Sequence, residues 1–450
     1  MTKKLDNSTP QDRLPIILGF QPISDNTREI TTVIEKGRGV YVYDSKGKEY
    51  IEATASFYVA SLGYQNEELI EAIERQYKEL PFFVSAMHRT SDKSLELAER
   101  LRDVIPAGGS HVMFATTGSE ANDFLMKMMR FDSVVKNEPD RKTIIGRRSS
   151  YHGGTIASAS LTGAHHAEFN LPIEGFRHVS QPDYHGDRLP GETESEYCDR
   201  LVLELKTLIE NEPERSVKAF FAEPISFSAG FKTPPTQYFK KIQNLLLNYE
   251  IEFVCDEVIT GMGRTGKMLG SESLDLSPDH VVMGKGLTSG YFPLSAIGIG
   301  ESLYKGLEQG SEEHGVLAHA GTFSAHPVGA AAAIKTLEII KRDNLLEHAS
   351  KMGQRLKQGL MPLVEHPLVG DIRGFGLGIG IDFLRRNSED IASNTDSDQR
   401  SIQVYQKLID IGMIVRPAGR SIVIAPPLIT NEREIDDMVF RVKTVLDEIG

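Results

Sequence analysis

Cysteine is scarce in this chain: Cys198 and Cys255 are the only two in 450 residues. They stand far apart in sequence, which argues against a disulfide framework and against a thiolate zinc site, and no metal site is expected. Positive charge is also in short supply, with 50 Lys and Arg against 63 Asp and Glu and a net charge of −13. A general nucleic-acid binder needs a basic face to displace counterions from phosphates, so no nucleic-acid partner is expected, although a local basic pocket remains compatible. No apolar run reaches the roughly 20 residues that span a bilayer, and no membrane partner is expected. Lys3 and Lys4 near the start are not followed by the apolar core of a secretory signal. The resulting expectation is a cytoplasmic protein.

What the chain does have is length and an ordinary composition: 40% hydrophobic and 25% charged residues, typical of a globular protein. At roughly 100–200 residues per domain, two or more lobes are expected. The stretch from Asp256 to Lys285 organises the rest. The run IEFVC over 251–255 has the makings of a buried strand and delivers Asp256. The run HVVMG over 280–284 is a second one and delivers Lys285. Ligands collect at the carboxyl ends of strands in open α/β sheets. A lysine there can form a Schiff base, and a carboxylate there can hold a proton on a pyridine nitrogen, the two things pyridoxal 5'-phosphate (PLP) requires from a protein.

Other segments fit such a sheet. Residues 1 to about 30 are polar, broken by Pro10, Pro15 and Pro22, and read as an irregular arm. Alternation and a turn over 39–51 predict a hairpin. Helical spacing predicts helices over 66–79 and 94–104. The strand HVMFA over 111–115 runs into Thr117, Gly118, Ser119 and Glu120. Thr117 and Glu120 fit a capping box, and a strand, a glycine turn and a capped helix make an anion site; the same pattern also suits an ordinary capped helix. Short strands are predicted over 142–146, ahead of Tyr151 and His152, and over 218–222, ahead of Glu223. Residues 165–200 read as loop-rich, 201–209 and 236–249 as helical, and 385–400 as a polar, exposed insertion.

Taken together these motifs resemble the class III aminotransferases, PLP enzymes, with the closest likeness to the ω-amino acid or amine:pyruvate branch. The likeness rests on DEVITGMGRTGKM from Asp256, GKGLTSGYFPLSA from Gly284, GSEAN over 118–122, an aromatic-His-Gly at Tyr151, His152 and Gly153, and HAGTFSAHP over 319–327. It implies an α/β protein of PLP fold type I: a large domain over 61–327 around a mostly parallel seven-stranded sheet, an N-terminal arm and part of a small domain over 1–60, and a C-terminal small domain over 328–450. It implies Lys285 and Asp256 as catalytic residues, a phosphate held by Gly118 and Ser119, and a pyridine ring stacked on Tyr151 beside His152. Glu223 lies near the cofactor's phenolic oxygen in this scheme, and Val258 packs on the ring face opposite Tyr151. Thr322 reaches across a homodimer interface to the neighbouring subunit's phosphate. Substrate contacts fall to Tyr58, Ala86, Tyr151 and Arg416. Ala86 or Met87 stands where relatives often carry a bulky aromatic, which suggests a roomier pocket, and Glu52 stands where the family commonly has Asp. The expected reaction moves an amino group from an amine or ω-amino acid to a keto acid, pyruvate in the first instance, by a ping-pong route. A class III enzyme using 2-oxoglutarate or a biosynthetic substrate is the alternative.

The glycine loop admits two rival readings. Residues 261–266 match G-x-G-x-x-G, as an NAD-dependent dehydrogenase would require, but such a loop opens a helix, and KMLGSES after it lacks helical periodicity. Residues 261–267 also match a phosphate-binding G-x-x-x-x-G-K, yet Met268 stands where the magnesium-binding hydroxyl belongs.

Overall fold

The computed structural model describes residues 13–106, 109–163, 167–384 and 395–450. Strands β1 (Ile34–Arg38), β2 (Tyr41–Asp44) and β3 (Glu49–Glu52) form the expected hairpin and its flank. Asp44 closes the β2–β3 turn by accepting from the Lys46 and Lys48 N–H groups. The arm shows little regular structure from residue 13 to β1, with one short 3-10 turn at Ile23–Asp25; residues 1–12 lie outside the described residues.

The central sheet is built from β4 (Gly109–Ala115), β5 (Thr143–Arg147), β6 (Phe176–Val179), β7 (Val217–Ala222), β8 (Glu252–Asp256), β9 (His280–Met283) and β10 (Ser295–Gly300). Its seven strands run in the order β4-β10-β9-β8-β7-β5-β6. Every pairing is parallel except those of β10, which is antiparallel to both neighbours. The expected mostly parallel sheet is therefore present. Strands β5, β7, β9 and β10 are buried along their whole length, as strands covered on both faces must be, and this is why they read as continuous apolar runs rather than alternating ones.

This topology places the site. Strands β4, β5, β7, β8 and β9 all end at one edge, so residues 116–119, Tyr151, Glu223, Asp256 and Lys285 emerge together. Because β10 runs the other way, its leading segment, residues 288–294, enters at that same edge.

Strands β11 (Val369–Gly374), β12 (Ile379–Phe383), β14 (Arg416–Ala418) and β15 (Ser421–Ile424) form a third sheet, and β13 (Met413–Ile414) pairs in parallel with β3, Met413 opposite Ile51. Buried ion pairs join this third sheet to the loops of the central one. Lys232 meets both Asp183 at 2.9 Å and Asp382 at 3.0 Å, and Arg420, in the β14–β15 turn, meets the same two carboxylates at 2.8 and 2.9 Å. Arg373 adds a 2.6 Å contact to Asp382. The neighbouring cations hold both carboxyls below their usual range despite burial. Alternating charges at this depth fix geometry, since removing one leaves another buried and unpaired.

Three expectations are corrected. The helix expected over 201–209 begins earlier, at Glu194, where Thr193 and Glu196 form a capping box; the loop-rich segment is correspondingly shorter. The stretch 385–400 is not an exposed insertion throughout: residues 395–400 open the helix Thr395–Asp410, and Arg400 is buried. Residues 385–394 lie outside the described residues. Finally, Thr117 caps the helix Gly118–Val135 by accepting from the Glu120 N–H at 3.2 Å, but Glu120 does not return to Thr117. Its carboxylate binds the Thr116 N–H at 2.7 Å and the Thr116 hydroxyl, so the reciprocal half of the box is displaced by one residue.

Candidate active site

At the strand-end edge lies a cavity of about 370 Å³. Asp256 is on its floor, 4% exposed. Asn122 Nδ2 donates to Asp256 Oδ2 at 3.0 Å, His152 Nδ1 lies 2.8 Å from the same oxygen, and the Val258 N–H donates to Oδ1 at 3.1 Å. Donation from the ring to Asp256 Oδ2 uses the Nδ1–H tautomer of His152. His152 Nε2 is buried without a hydrogen-bond partner, 3.9 Å from Glu223. Asn122 also donates to the His152 carbonyl at 2.8 Å, which ties the helix after β4 to the loop after β5. Its role is invisible in sequence: Asn122 closes the GSEAN motif, but only the fold shows what its amide grips.

Glu223 is held in place by Arg147, whose Nη2 donates to its carboxylate at 3.0 Å and to its carbonyl at 2.6 Å. Arg147 is 1% exposed at the end of β5. The Tyr151 N–H donates to the other Glu223 oxygen at 3.3 Å, and the Tyr151 side chain, partly exposed, lines the cavity.

Lys285 follows β9 with φ at +43°, a conformation that costs an L-residue about 1–2 kcal/mol and is kept here by the surrounding packing. Burial and, next, the positive charge of Arg416 pull its pKa down to about 7, while Asp256 and Glu223 oppose the shift. The amine is therefore half neutral near physiological pH, a property associated with nucleophilic and basic lysines.

The other end of the cavity is lined by Thr116, Thr117, Gly118 and Ser119, at the start of the 18-residue helix Gly118–Val135. Free N–H groups and the positive helix end face this corner. A Cβ on Gly118 would lie 3.0 Å from Val258, and one on Gly153, whose φ is +144°, would lie 2.5 Å from the Ser119 hydroxyl. The Ser119 hydroxyl in turn accepts from the Gly154 N–H at 3.1 Å. Small residues thus keep the backbone accessible where an anionic group would sit.

Of the residues expected from sequence, Gly118, Ser119, Tyr151, His152, Glu223, Asp256, Val258 and Lys285 line this one cavity. Tyr58 and Arg416 stand beside it. Tyr58 is 1% exposed, its ring centroid lies 5.5 Å from Lys285 Nζ, and its hydroxyl accepts from Arg416 Nη1 at 3.4 Å. Ala86 and Thr322 are not brought to the cavity lining; Thr322 is exposed. Val59, Thr288, Gly290 and Phe292 line the cavity without having been anticipated. The signal for the last three was the Gly/Pro-rich turn directly after Lys285. The 261–266 loop folds as turns and opens no long helix, and Arg264 from it is buried, donating to the Leu377 carbonyl at 3.0 Å. A Cβ on Gly263 would meet Leu428 and Leu346, and one on Gly266 would meet Ser350, so these two glycines allow close packing against C-terminal segments.

A sequence model of the class III aminotransferase family matches residues 23–446, and the chain belongs to that family. It is 36% identical to a vanillin aminotransferase of Capsicum frutescens over 90% of this chain and 89% of that one. It is 37% identical to the chloroplastic gamma aminobutyrate transaminase 3 of Solanum lycopersicum, over 91% and 79% of the two chains. Among solved structures, an omega transaminase from Pseudomonas jessenii in complex with PMP superposes with a TM-score of 0.91 at 40% identity, covering 93% of this chain and 92% of that one. The fold is type I of the PLP-dependent enzymes. Class III aminotransferases use PLP. The dehydrogenase alternative is set aside.

Proposed function

We propose that this protein is a PLP-dependent transaminase that moves an amino group from an amine or ω-amino acid to pyruvate by a ping-pong route. The observation that carries the reading is the union, in one cavity, of a lysine with a pKa near 7, a braced carboxylate and a helix N-terminus.

The residues suit the cofactor. Gly118 and Ser119 would hold its phosphate, with Thr322 of a second subunit completing that corner in a homodimer; the exposure of Thr322 supports the cross-subunit role. Tyr151 and Val258 would flank the ring, and Glu223, with Arg147 behind it, would face its phenolic oxygen. When bound, PLP supplies an electron-accepting ring that stabilises negative charge at the substrate carbon. Asp256 would keep the cofactor's ring nitrogen protonated, because a nearby negative charge favours a cation. Asn122 and His152 fix the carboxylate's orientation for that task. Lys285 Nζ, neutral above about pH 7, would anchor the cofactor and would move the proton at the amine-bearing carbon. Arg416 offers a guanidinium to a substrate carboxylate; its neighbours are the Tyr58 hydroxyl and the rings of Phe57 and Tyr58, which leave its other N–H groups for such a ligand. Tyr58 and Ala86 would complete the substrate side, with residues 1–60 and 328–450 framing the 61–327 domain.

The test is the visible spectrum of the PLP-loaded protein through one cycle. Bleaching of the yellow band by an amine and its return with pyruvate supports the full reading. Return with 2-oxoglutarate alone keeps the transaminase and replaces the acceptor. A band that no amine alters overturns the reading.

A further inference from the structure

The end of β5 carries a charge that the sheet does not need. Arg147 is 1% exposed and closes a strand buried along its whole length. Its Nη2 donates to the Glu223 carboxylate at 3.0 Å, to the Glu223 carbonyl at 2.6 Å and to the Ser226 hydroxyl at 3.4 Å. The Phe239 ring covers the guanidinium at 5.8 Å. Among the described residues, its Nε has no hydrogen-bond partner. Burying a guanidinium is costly, and exchanging a buried ion pair for apolar residues of similar volume is often neutral or stabilising. The Lys232 and Arg420 pairs use their charges to join the third sheet to loops of the central one. Arg147 and Glu223 stand at the ends of β5 and β7, strands that their own ladder already joins, so this pair adds no new tie between elements.

What the pair does provide is a held anion at the cavity wall. Glu223 lines the cavity, and Arg147 stands behind it, outside the lining. One Glu223 oxygen is taken by Arg147 and the other by the Tyr151 N–H at 3.3 Å, so turning the carboxylate loses a donor. His152 Nε2 lies 3.9 Å from the first of these oxygens. The charge of Glu223 reaches Lys285, where it opposes the fall in that pKa. We infer that Arg147 is a positioning residue that fixes Glu223 as an anion facing the bound cofactor, and that it sets the cofactor's electrostatics only through Glu223. The inference rests on the transaminase reading. A group in the cavity lies nearer to the carboxylate than to the guanidinium behind it, so the carboxylate's field dominates there. Without Arg147, Glu223 is a buried carboxylate that lacks its counter-charge, and burial favours the neutral form. An anion beside bound PLP favours the protonated, yellow form; without that anion the form is lost at a lower pH.

The experiment is a double-mutant cycle on Arg147→Met and Glu223→Gln. It is read in the cofactor-free protein by the Kd for PLP, and in the loaded protein by the pH at which the yellow band is lost. Each single variant is expected to raise the Kd about tenfold and to lower that pH by about one unit. The double variant should show no more than either single one, because Arg147 acts only through Glu223. Arg147→Lys, which keeps the charge without the planar fork, should fall between the parent and Arg147→Met. A merely structural arginine would show instead in the melting temperature; the double variant, with neither charge left unpaired, should melt within about 4 °C of the parent. A Kd and a band pH unmoved in Arg147→Met, or effects that multiply in the double variant, overturn the inference. If Arg147→Met fails to fold, the double variant is compared with Glu223→Gln, and a further rise in Kd of more than about threefold overturns it. A parent that binds PLP but shows no effect of Arg147 overturns this inference alone; a parent that binds no PLP overturns the transaminase reading with it.

Discussion

The floor of the cavity and the side that we propose meets the substrate are made in different ways. The floor is assembled from the ends of five strands of one sheet, each followed within a few residues by the side chain that matters. The substrate side is assembled from pieces: a left-handed turn after β3, where Ala55, Ser56, Phe57 and Tyr58 all have positive φ, an arginine from the far end of the chain, and, on the reading above, a second subunit. Strand ends are placed by the sheet's register, so the floor tolerates little variation. The substrate side depends on turns and lobe packing, which can differ between family members that share the floor.

The comparison can be broken most severely at Lys285. Lys285→Ala should lower turnover by about 10⁴-fold or more in steady-state assays, with the melting temperature retained. Asp256→Asn removes the charge but keeps the shape; turnover should fall about 10²-fold, in line with a shift of one to three pKa units on a neighbouring group. Both changes act on the floor and should lower kcat. Arg416→Ala acts on the substrate side instead. It should raise the KM for pyruvate about 10- to 100-fold, the worth of hydrogen bonds to a charged group, and should leave kcat far less changed. A fall in kcat equal to that of Asp256→Asn would erase the distinction between the two regions.

The smallest effect is a pH dependence. Lys285 has its folded pKa lowered to about 7 from 10.5. Between these values the unfolded chain holds a proton that the folded one lacks, so this group makes the cofactor-free protein more stable as pH rises from about 7 to 10.5. Below pH 7 both states are protonated and the buried charge is a standing cost. Stopped-flow capture of PLP by the cofactor-free protein should accelerate up to about pH 7 and then level off. A rate still rising steeply at pH 9 would place the lysine in a more polar setting.

How much of this was legible in sequence follows the same division. Strand-end residues such as Asp256, Glu223 and Lys285 were readable because a buried parallel strand is a short apolar run and the residue after it is fixed by position. The helix start at Gly118 and Ser119 was readable from its cap and glycine. Partners across the sheet were not: nothing near Asn122 or Arg147 in sequence points to Asp256 or Glu223. The left-handed turn was opaque, since Ala, Ser, Phe and Tyr carry no preference for positive φ and the turn is held by Glu52, which accepts from the Ser56 N–H and the Thr54 hydroxyl. Glu120 misled because a capping-box spacing specifies a partner three residues away but not which neighbouring N–H receives it.

The most direct measurement is borohydride reduction of the PLP-loaded protein followed by peptide mapping. Reduction converts a lysine-bound pyridoxal into a stable secondary amine that mass spectrometry locates. The account predicts the label on Lys285 alone. A label on another lysine, or none on a fully loaded protein, would contradict it.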